Sequence, residues 1–548
     1  MRSKINTEIT TVARSLRSHR TPHSDSARNS AIHSDHFPVE RGAHGQVRSN
    51  LNKPLRIMKF GGTSVGDASC ITKVIDIIRA ALYERDIVVV VSAMRGVTNQ
   101  LIEAAVQSEA GNRETVAQIF AGLRKQHDTA VDALIHSDDG RNRIRLQMQE
   151  LFQEGERLCQ GTTLLHELTP RVRDSISSLG ERLSAPLIAS ALAESGVVSD
   201  CIEATELVVT DSYHGGAEPW MDLTRARSEA RLRPLLRQGV VAVVTGFIGA
   251  TEEGVLTTLG RGGSDYSATI LGAALDADDV IIWTDVDGLL TADPHLVPEA
   301  CSIPKISYRE AAELAYFGAK VIHPKALHPM MKSGIPVSIR NTFAPDKSGT
   351  QITPTGPANG RGITALTAIR DAALIIVGGP GLLGVQDVLG RTFATTAAVR
   401  TDVLMISQSS SQNDVCLVVS SSQAKRTIEA LRHEFAHDLA HEKVEHITVD
   451  STVAIVTVVG QKERGMSGIV GRTFGALCRE NIEVIAIAHG ASACNISFVV
   501  AEKDMKAALV AAHREFHLGE LNSPVLPTGS SDRSATWFYE SGASTDAD

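Results

Sequence analysis

Two stretches of this chain spell nearly the same thing. Gly384–Phe393 (GVQDVLGRTF) realigns without a gap on Gly465–Phe474 (GMSGIVGRTF). Each copy follows a β-branched apolar run (Ala373–Val377; Val453–Val459). Each precedes two more: Val403–Gln408 and Val415–Ser420, then Ile482–His489 and Ile496–Val500. Each therefore reads strand–turn–helix–strand–strand. A module with one helical face must cover its sheet against a neighbour, so the copies pack on each other or on those of a second chain.

Upstream the pattern differs. Leu55–Phe60 and Ile87–Ser92 are short apolar runs of the kind buried on both faces of a sheet. Ala68–Glu84, Val97–Glu109, Arg113–Leu179 and Leu183–Glu194 carry helical spacing. Strand signals return at Val240–Gly246 and Val280–Thr284, with Ser267–Leu275 helical between them. Strands alternating with helices predict an α/β layered domain with a largely parallel sheet. It is expected over residues 55–355, ahead of a turn-rich linker at Pro354–Gly362, with the repeats at 365–445 and 446–521.

Composition limits the function classes. A chain of 548 residues is long enough for about three or four modules. Its net charge of −9 opposes electrostatic nucleic-acid binding. No apolar run reaches the ~18 residues of a membrane helix. The seven cysteines are scattered without a CxxC pair, which fits a reducing cytoplasm. Residues 1–54 carry nine Lys and Arg against four acids and no sustained apolar period. They read as a disordered extension, an early start ahead of Met58, or a targeting peptide. Residues 522–548 read as a polar, disordered tail.

Gly379–Gly384 spells GxGxxG between a strand and a helix, with Asp402 about 20 residues on, which is a dinucleotide fingerprint. The repeat argues against it. The second copy has Lys462 where the central glycine would stand, and Pro380 removes a donor. Four other segments carry more chemistry. Lys59-Phe60-Gly61-Gly62-Thr63-Ser64 ends a strand in glycines that let backbone N–H groups meet an anion; an ordinary βα turn is the plain alternative. Gly260-Arg261-Gly262-Gly263-Ser264-Asp265 opens a helix, where anions bind and where Ser264 or Asp265 would equally serve as a cap. Thr284-Asp285-Val286-Asp287-Gly288 follows a strand and reads as a ligand-facing end or an Asp-Gly turn. Phe317-Gly318-Ala319-Lys320-Val321 places a further lysine. Glu181 is either an amine binder or a helix cap, and His323 either an acid–base group or a packed turn residue.

Together these blocks, with VVSAMRGVTN (Val90–Asn99), LGERLSA (Leu179–Ala185) and FGAKVIHP (Phe317–Pro324), closely resemble the aspartate kinases of the amino acid kinase family, over about Arg56 to Gly519. The resemblance implies a three-layer α/β/α sandwich followed by two ferredoxin-like (βαββαβ) ACT domains, an arrangement in which the second can be inserted in the first. It implies transfer of the ATP γ-phosphoryl group to the β-carboxylate of L-aspartate, giving 4-phospho-L-aspartate. That is the first step towards lysine, threonine and methionine. Lys59 and Lys320 would neutralise phosphates with Mg²⁺ alongside, and Gly61, Gly62 and Ser64 would donate around the transferring group. Arg261 would grip the α-carboxylate and Glu181 the ammonium, while Ser92, Thr98 and Ser264 orient the substrate. Asp265 would fix the amine or a cation, with no dedicated protein metal site. Thr284 and Asp285 would bind nucleotide, near Leu290 and His295, which stand where many members have Tyr and Arg.

The regulatory half resembles the threonine-sensitive and plant-type branch. Gln408 and Asn413 would bind the effector, threonine first and lysine second. His489 replaces a frequent Gln in the second copy. Only a short tail follows that copy, so a homoserine dehydrogenase domain is not expected. ACT pairing implies a homodimer or homotetramer. The rival readings are a glutamate or acetylglutamate kinase and a catalytically inactive amino-acid sensor.

Overall fold

The computed structural model describes residues 53–318, 321–357, 362–379, 385–408, 414–460, 467–489 and 495–520. The chain opens with β1 (Leu55–Phe60), α1 (Ala68–Ala81) and β2 (Asp86–Val91). Asp67 caps α1 by accepting from the Cys70 N–H at 2.9 Å. Then come α2 (Val97–Glu109), α3 (Arg113–Leu134), α4 (Asp138–Leu165), α5 (Pro170–Ser177) and α6 (Leu179–Glu194). The sequence reads Arg113–Leu179 as one helical stretch, but it breaks twice. Ile135 is extended, and His166 ends α4 in the left-handed region before Pro170 starts α5.

Next follow β3 (Ser199–Ile202), α7 (Met221–Arg237), β4 (Val241–Thr245), the hairpin β5 (Ile248–Ala250) and β6 (Leu256–Thr258), α8 (Gly263–Ala274) and β7 (Asp279–Thr284). The domain closes with β8 (Lys305–Ser307), α9 (Tyr308–Tyr316), α10 (Pro324–Ser333), β9 (Val337–Asn341) and β10 (Thr350–Thr353). Eight strands form one sheet in the order β3-β4-β2-β1-β7-β9-β10-β8, parallel except at β9–β10. Strand alternation assigns the faces. Met58, Phe60, Val89 and Val91 join a core under α1 to α6, while Ile57, Val88 and Val90 join a second core under α7 to α10. Such doubly covered strands explain the unbroken apolar runs; each fully buried side chain contributes about 1.5–3 kcal/mol.

The repeat-bearing half comprises β11 (Ile363–Gly378), α11 (Val385–Ala398), β12 (Val403–Gln408), β13 (Asp414–Ser420), α12 (Ser421–Glu434) and α13 (Ala436–Ala440). It continues with β14 (His446–Gly460), α14 (Ser467–Arg479), β15 (Ala486–Ala488), β16 (Asn495–Ala501) and α15 (Met505–Glu515). One antiparallel sheet runs β12-β13-β11-β14-β16-β15. Ala373 and Val453 open the runs read from sequence, but each run is only part of a longer strand. Leu374–Gly378 pairs with His446–Asp450, and Ile363–Ile369 pairs with Ile455–Gly460. The first repeat therefore takes its last strand from the start of β14. The second takes its last strand from the start of β11, ahead of the first repeat. The first copy is nested inside the second, the reverse of the nesting expected from sequence. Asp371, at φ 53, sits where β11 changes register. The expected strand at Ile482–His489 shrinks to Ala486–Ala488.

Helices cover one sheet face in two cores, one per repeat. The other face curls on itself: Leu374, Met405, Val418, Ile455 and Val499 cluster there, and the Ser407 hydroxyl reaches the Ile487 carbonyl at 2.9 Å. Phe317 of the first domain joins this cluster. Residues 380–384 of the glycine-rich turn lie outside the described residues, as do Lys320 and Asn413.

Candidate active site

The parallel strands β1, β2, β4 and β7 end together, and a cleft of about 1220 Å³ opens beyond their carboxyl ends. Lys59 shares the β1 face of Ile57, which looks toward α8. Its Nζ meets Asp265 Oδ1 at 2.5 Å, in the first turn of that helix. Both side chains are about one-tenth exposed. The contact fixes the end of β1 against the start of α8 and aims the two side chains at each other.

The Gly260–Gly263 turn places Arg261 and starts α8. Gly262 has φ 70, and a Cβ there would lie 2.3 Å from His323 Cβ, so only glycine fits. His323 is a packed residue: its Nδ1 accepts from the Lys325 N–H, and burial together with Lys325 and Arg261 pushes its pKa down. Gly62 backs onto the Ala93 carbonyl at 3.0 Å from its would-be Cβ, which brings the β1 and β2 ends into contact.

Glu181 lies in the first turn of α6, buried to 3% exposure. Burial raises its pKa to about 8, against the opposing pull of the Ala93 N–H, Lys59 and Ser264. Its Oε2 has no hydrogen-bond partner among the described residues. An orphaned buried carboxylate oxygen in a cleft is a place for a cationic donor.

Lys59, Gly61, Gly62, Ser92, Thr98, Glu181, Arg261, Ser264, Asp265 and Thr284 all line this cleft. Ser64 does not. Its hydroxyl is buried and bonded to Thr342 at 2.7 Å, so the expected donor role is not brought to the cleft wall. Lys320 is outside the described residues, though the next residue, Val321, lines the cleft. Asp285, Leu290 and His295 are on the loop after β7 and are not among the residues that line the cleft, although Asp285 follows Thr284, which does. Asp285 and His295 are exposed, and Leu290 bridges to Ser302. Gln408 is exposed at the end of the edge strand β12.

Sequence reasoning missed Asp174. This carboxylate on α5 is 3% exposed and accepts from His214 at 2.8 Å, the Gly215 N–H, the Thr258 N–H and the Thr258 hydroxyl at 2.6 Å. It ties α5 to the 213–216 turn, on which Gly260 packs, and so supports Arg261. No local pattern marks such a hub, because its partners lie 40 and 84 residues away.

A parallel α/β domain with a lysine, an arginine and an orphaned carboxylate around one cleft, joined to a sheet built from two repeats, defines the class. The model of the amino acid kinase family matches residues 54–341, and the ACT domain model matches 375–435 and 456–516. A bifunctional aspartokinase/homoserine dehydrogenase 1 of Zea mays is 32% identical over 90% of this chain and 56% of its own length. Aspartokinase 1 of Arabidopsis thaliana is 32% identical over 84% of this chain and 80% of its own. The crystal structure of E. coli aspartokinase III with aspartate and ADP superposes with a TM-score of 0.71 at 30% identity, covering 84% of this chain and 99% of that one. Its complex with lysine and aspartate gives 0.70. The chain spans about half the length of the bifunctional relatives. It belongs to the amino acid kinase family and groups with the aspartokinases.

Proposed function

We propose that the chain is an aspartate kinase, transferring the γ-phosphoryl group of ATP to the β-carboxylate of L-aspartate. The observation that carries this is the buried, unpartnered Glu181 Oε2 in the same cleft as Arg261 and the Lys59–Asp265 pair. An amino diacid presents an ammonium for the first, an α-carboxylate for the second, and a nucleophile toward the third. The nucleophile is already ionised at neutral pH, so no general base is required. Catalysis is alignment and charge neutralisation.

In this reading Ser92, Thr98 and Ser264 orient aspartate, while Gly61, Gly62, Thr284, Asp285, Leu290 and His295 contact the nucleotide. Lys59 and Lys320 face its phosphates. Mg²⁺ bound with the nucleotide would supply further charge neutralisation, with Asp265 the carboxylate at hand in the cleft.

Feedback by an amino acid, threonine before lysine, acts at Gln408 and Asn413. The exposed Ile406 and Ile487 on edge strands β12 and β15 favour assembly of ACT sheets into a homodimer or homotetramer. The scattered cysteine pattern of the sequence supports a cytoplasmic site; no helix among the described residues is long and apolar enough to cross a membrane. ADP release measured with aspartate, glutamate and N-acetylglutamate in turn, each with and without threonine or lysine, tests the reading. Turnover with aspartate alone is expected. Turnover only with another acceptor, or amino-acid binding without turnover, overturns it.

A further inference from the structure

The loop that follows β7 leaves the cleft and enters the core of the second repeat. Ala292, Leu296 and Val297 are buried in one cluster with Leu366, Val456, Phe498, Leu509 and Leu518. Thr291 is the polar centre of this seat, with no exposure at all. Its N–H donates to the Cys301 carbonyl at 2.9 Å, and its carbonyl accepts from the Leu366 N–H at 2.8 Å. Its hydroxyl accepts from the Cys301 N–H at 3.0 Å and lies 3.0 Å from Nε2 of His513, on α15. With the Cys301 N–H already donating to it, the hydroxyl either gives its hydrogen to the imidazole nitrogen or accepts from it on the second lone pair, and it is bonded to His513 in both tautomers. His513 is 1% exposed, and burial lowers its pKa.

The same repeat grips the loop at two more points. Cys301 Sγ donates to the Leu518 carbonyl at 3.2 Å, and Arg514 reaches Glu299 at 3.5 Å. The loop runs from Asp285 through Thr291 to His295, so whatever fixes Thr291 limits the freedom of the residues on both sides of it.

We propose that His513 is a positioning residue for the nucleotide: by holding Thr291 from the second ACT module, it fixes the Asp285–His295 loop in the conformation that receives ATP. This rests on the reading of that loop as nucleotide-facing. The second module is thereby part of the nucleotide site's scaffold, and its α15 is the element that transmits strain or rigidity to it.

The test uses the full chain and Mg²⁺-ADP as probe, titrated calorimetrically, alongside steady-state kinetics. Thr291→Val removes the hydroxyl at almost constant shape, and Thr291→Ser keeps it. His513→Leu removes the hydroxyl's partner, and His513→Gln offers both a donor and an acceptor near the same place. Thr291→Val and His513→Leu are each expected to weaken ADP roughly tenfold, the order expected when a buried hydrogen bond is left half-made. The KM for ATP should rise with it while the KM for aspartate stays within about twofold. The Ser and Gln variants should recover most of the loss, and the double variant should be no worse than either single one. Unchanged ADP affinity in Thr291→Val, or an equal rise in both KM values, overturns the proposal. If His513→Leu does not fold, the Thr291 pair decides alone. If the wild type binds ADP yet does not phosphorylate aspartate, the kinase reading fails while the ADP titrations still judge this one; a wild type that binds no ADP overturns it.

Discussion

Arg391 in the first repeat and Arg472 in the second do the same work at equivalent positions. Each guanidinium lies over a phenylalanine, Phe435 at 4.5 Å and Phe516 at 4.7 Å. Each donates to the glutamate before that ring, Glu434 or Glu515, through both the carboxylate and the main-chain carbonyl. This latch ties the two helices of a repeat together, and the shared Gly-Arg-Thr-Phe motif exists to place it. Around the latch the copies diverge. The positions matching His513 and Leu518 of the second copy are Arg432 and His437 in the first, both exposed. In the second copy those places are buried against the catalytic domain; in the first they face out. One module thus keeps the fold and serves as a seat. The other keeps the fold and leaves Gln408 open at a sheet edge. Duplication preserves what the module needs internally and frees the outer surface to specialise.

That contrast can be broken at several points. Lys59→Met should lower kcat by about a thousandfold or more, because a charge partner of the transition state is lost. Amino-acid binding to the repeats should survive, and calorimetry with threonine and lysine would reveal it if not. Leu518→Ala should destabilise the protein by roughly 2–5 kcal/mol, whereas His437→Ala at the matching exposed place should stay within about 0.5 kcal/mol. Equal shifts in thermal unfolding would erase the distinction between seat and free module. Gln408→Ala should raise the half-inhibitory effector concentration by about tenfold with little change in uninhibited rate, and His489→Ala should do so less. Identical responses would make the two copies equivalent sensors.

The smallest effect concerns Glu181. With its pKa raised to about 8, the ionised form that holds an ammonium is the minor one at pH 7. Aspartate affinity should therefore improve about five- to tenfold as pH rises from about 7 to about 8.5. In Glu181→Gln the dependence should vanish, along with most of the affinity. Because the folded value lies above the ordinary carboxylate range, this group by itself makes the fold less stable as pH climbs toward 8. Differential scanning against pH, with and without the substitution, checks the sign.

Local pattern alone determined a good deal. Leu55–Phe60 and Val97–Glu109 are the elements their periodicity predicts, and two of the four glycine-bearing segments, through Gly61 and Gly62 and through Gly260–Asp265, line the cleft. These are short-range matters of side-chain period and backbone freedom, which residues and their neighbours specify. The repeat marked by Gly-Arg-Thr-Phe is equally legible, and the ACT model matches twice, once over each copy. What lies beyond such patterns is long-range. Ser64 looks like its motif partners but bonds to Thr342, 278 residues away. The Asp174 hub and the Thr291–His513 link join residues that no window of sequence contains together. The exchange of end strands between the repeats depends on pairing β11 with β14, two strands separated by the whole of the first copy's helices and hairpin. For Glu181 the sequence leaves cap and amine binder open, and its burial, with one oxygen unpartnered among the described residues, belongs to the tertiary structure alone. Desolvation and tertiary contact have no signature in the linear chain, since both arise only when distant segments exclude solvent from one another.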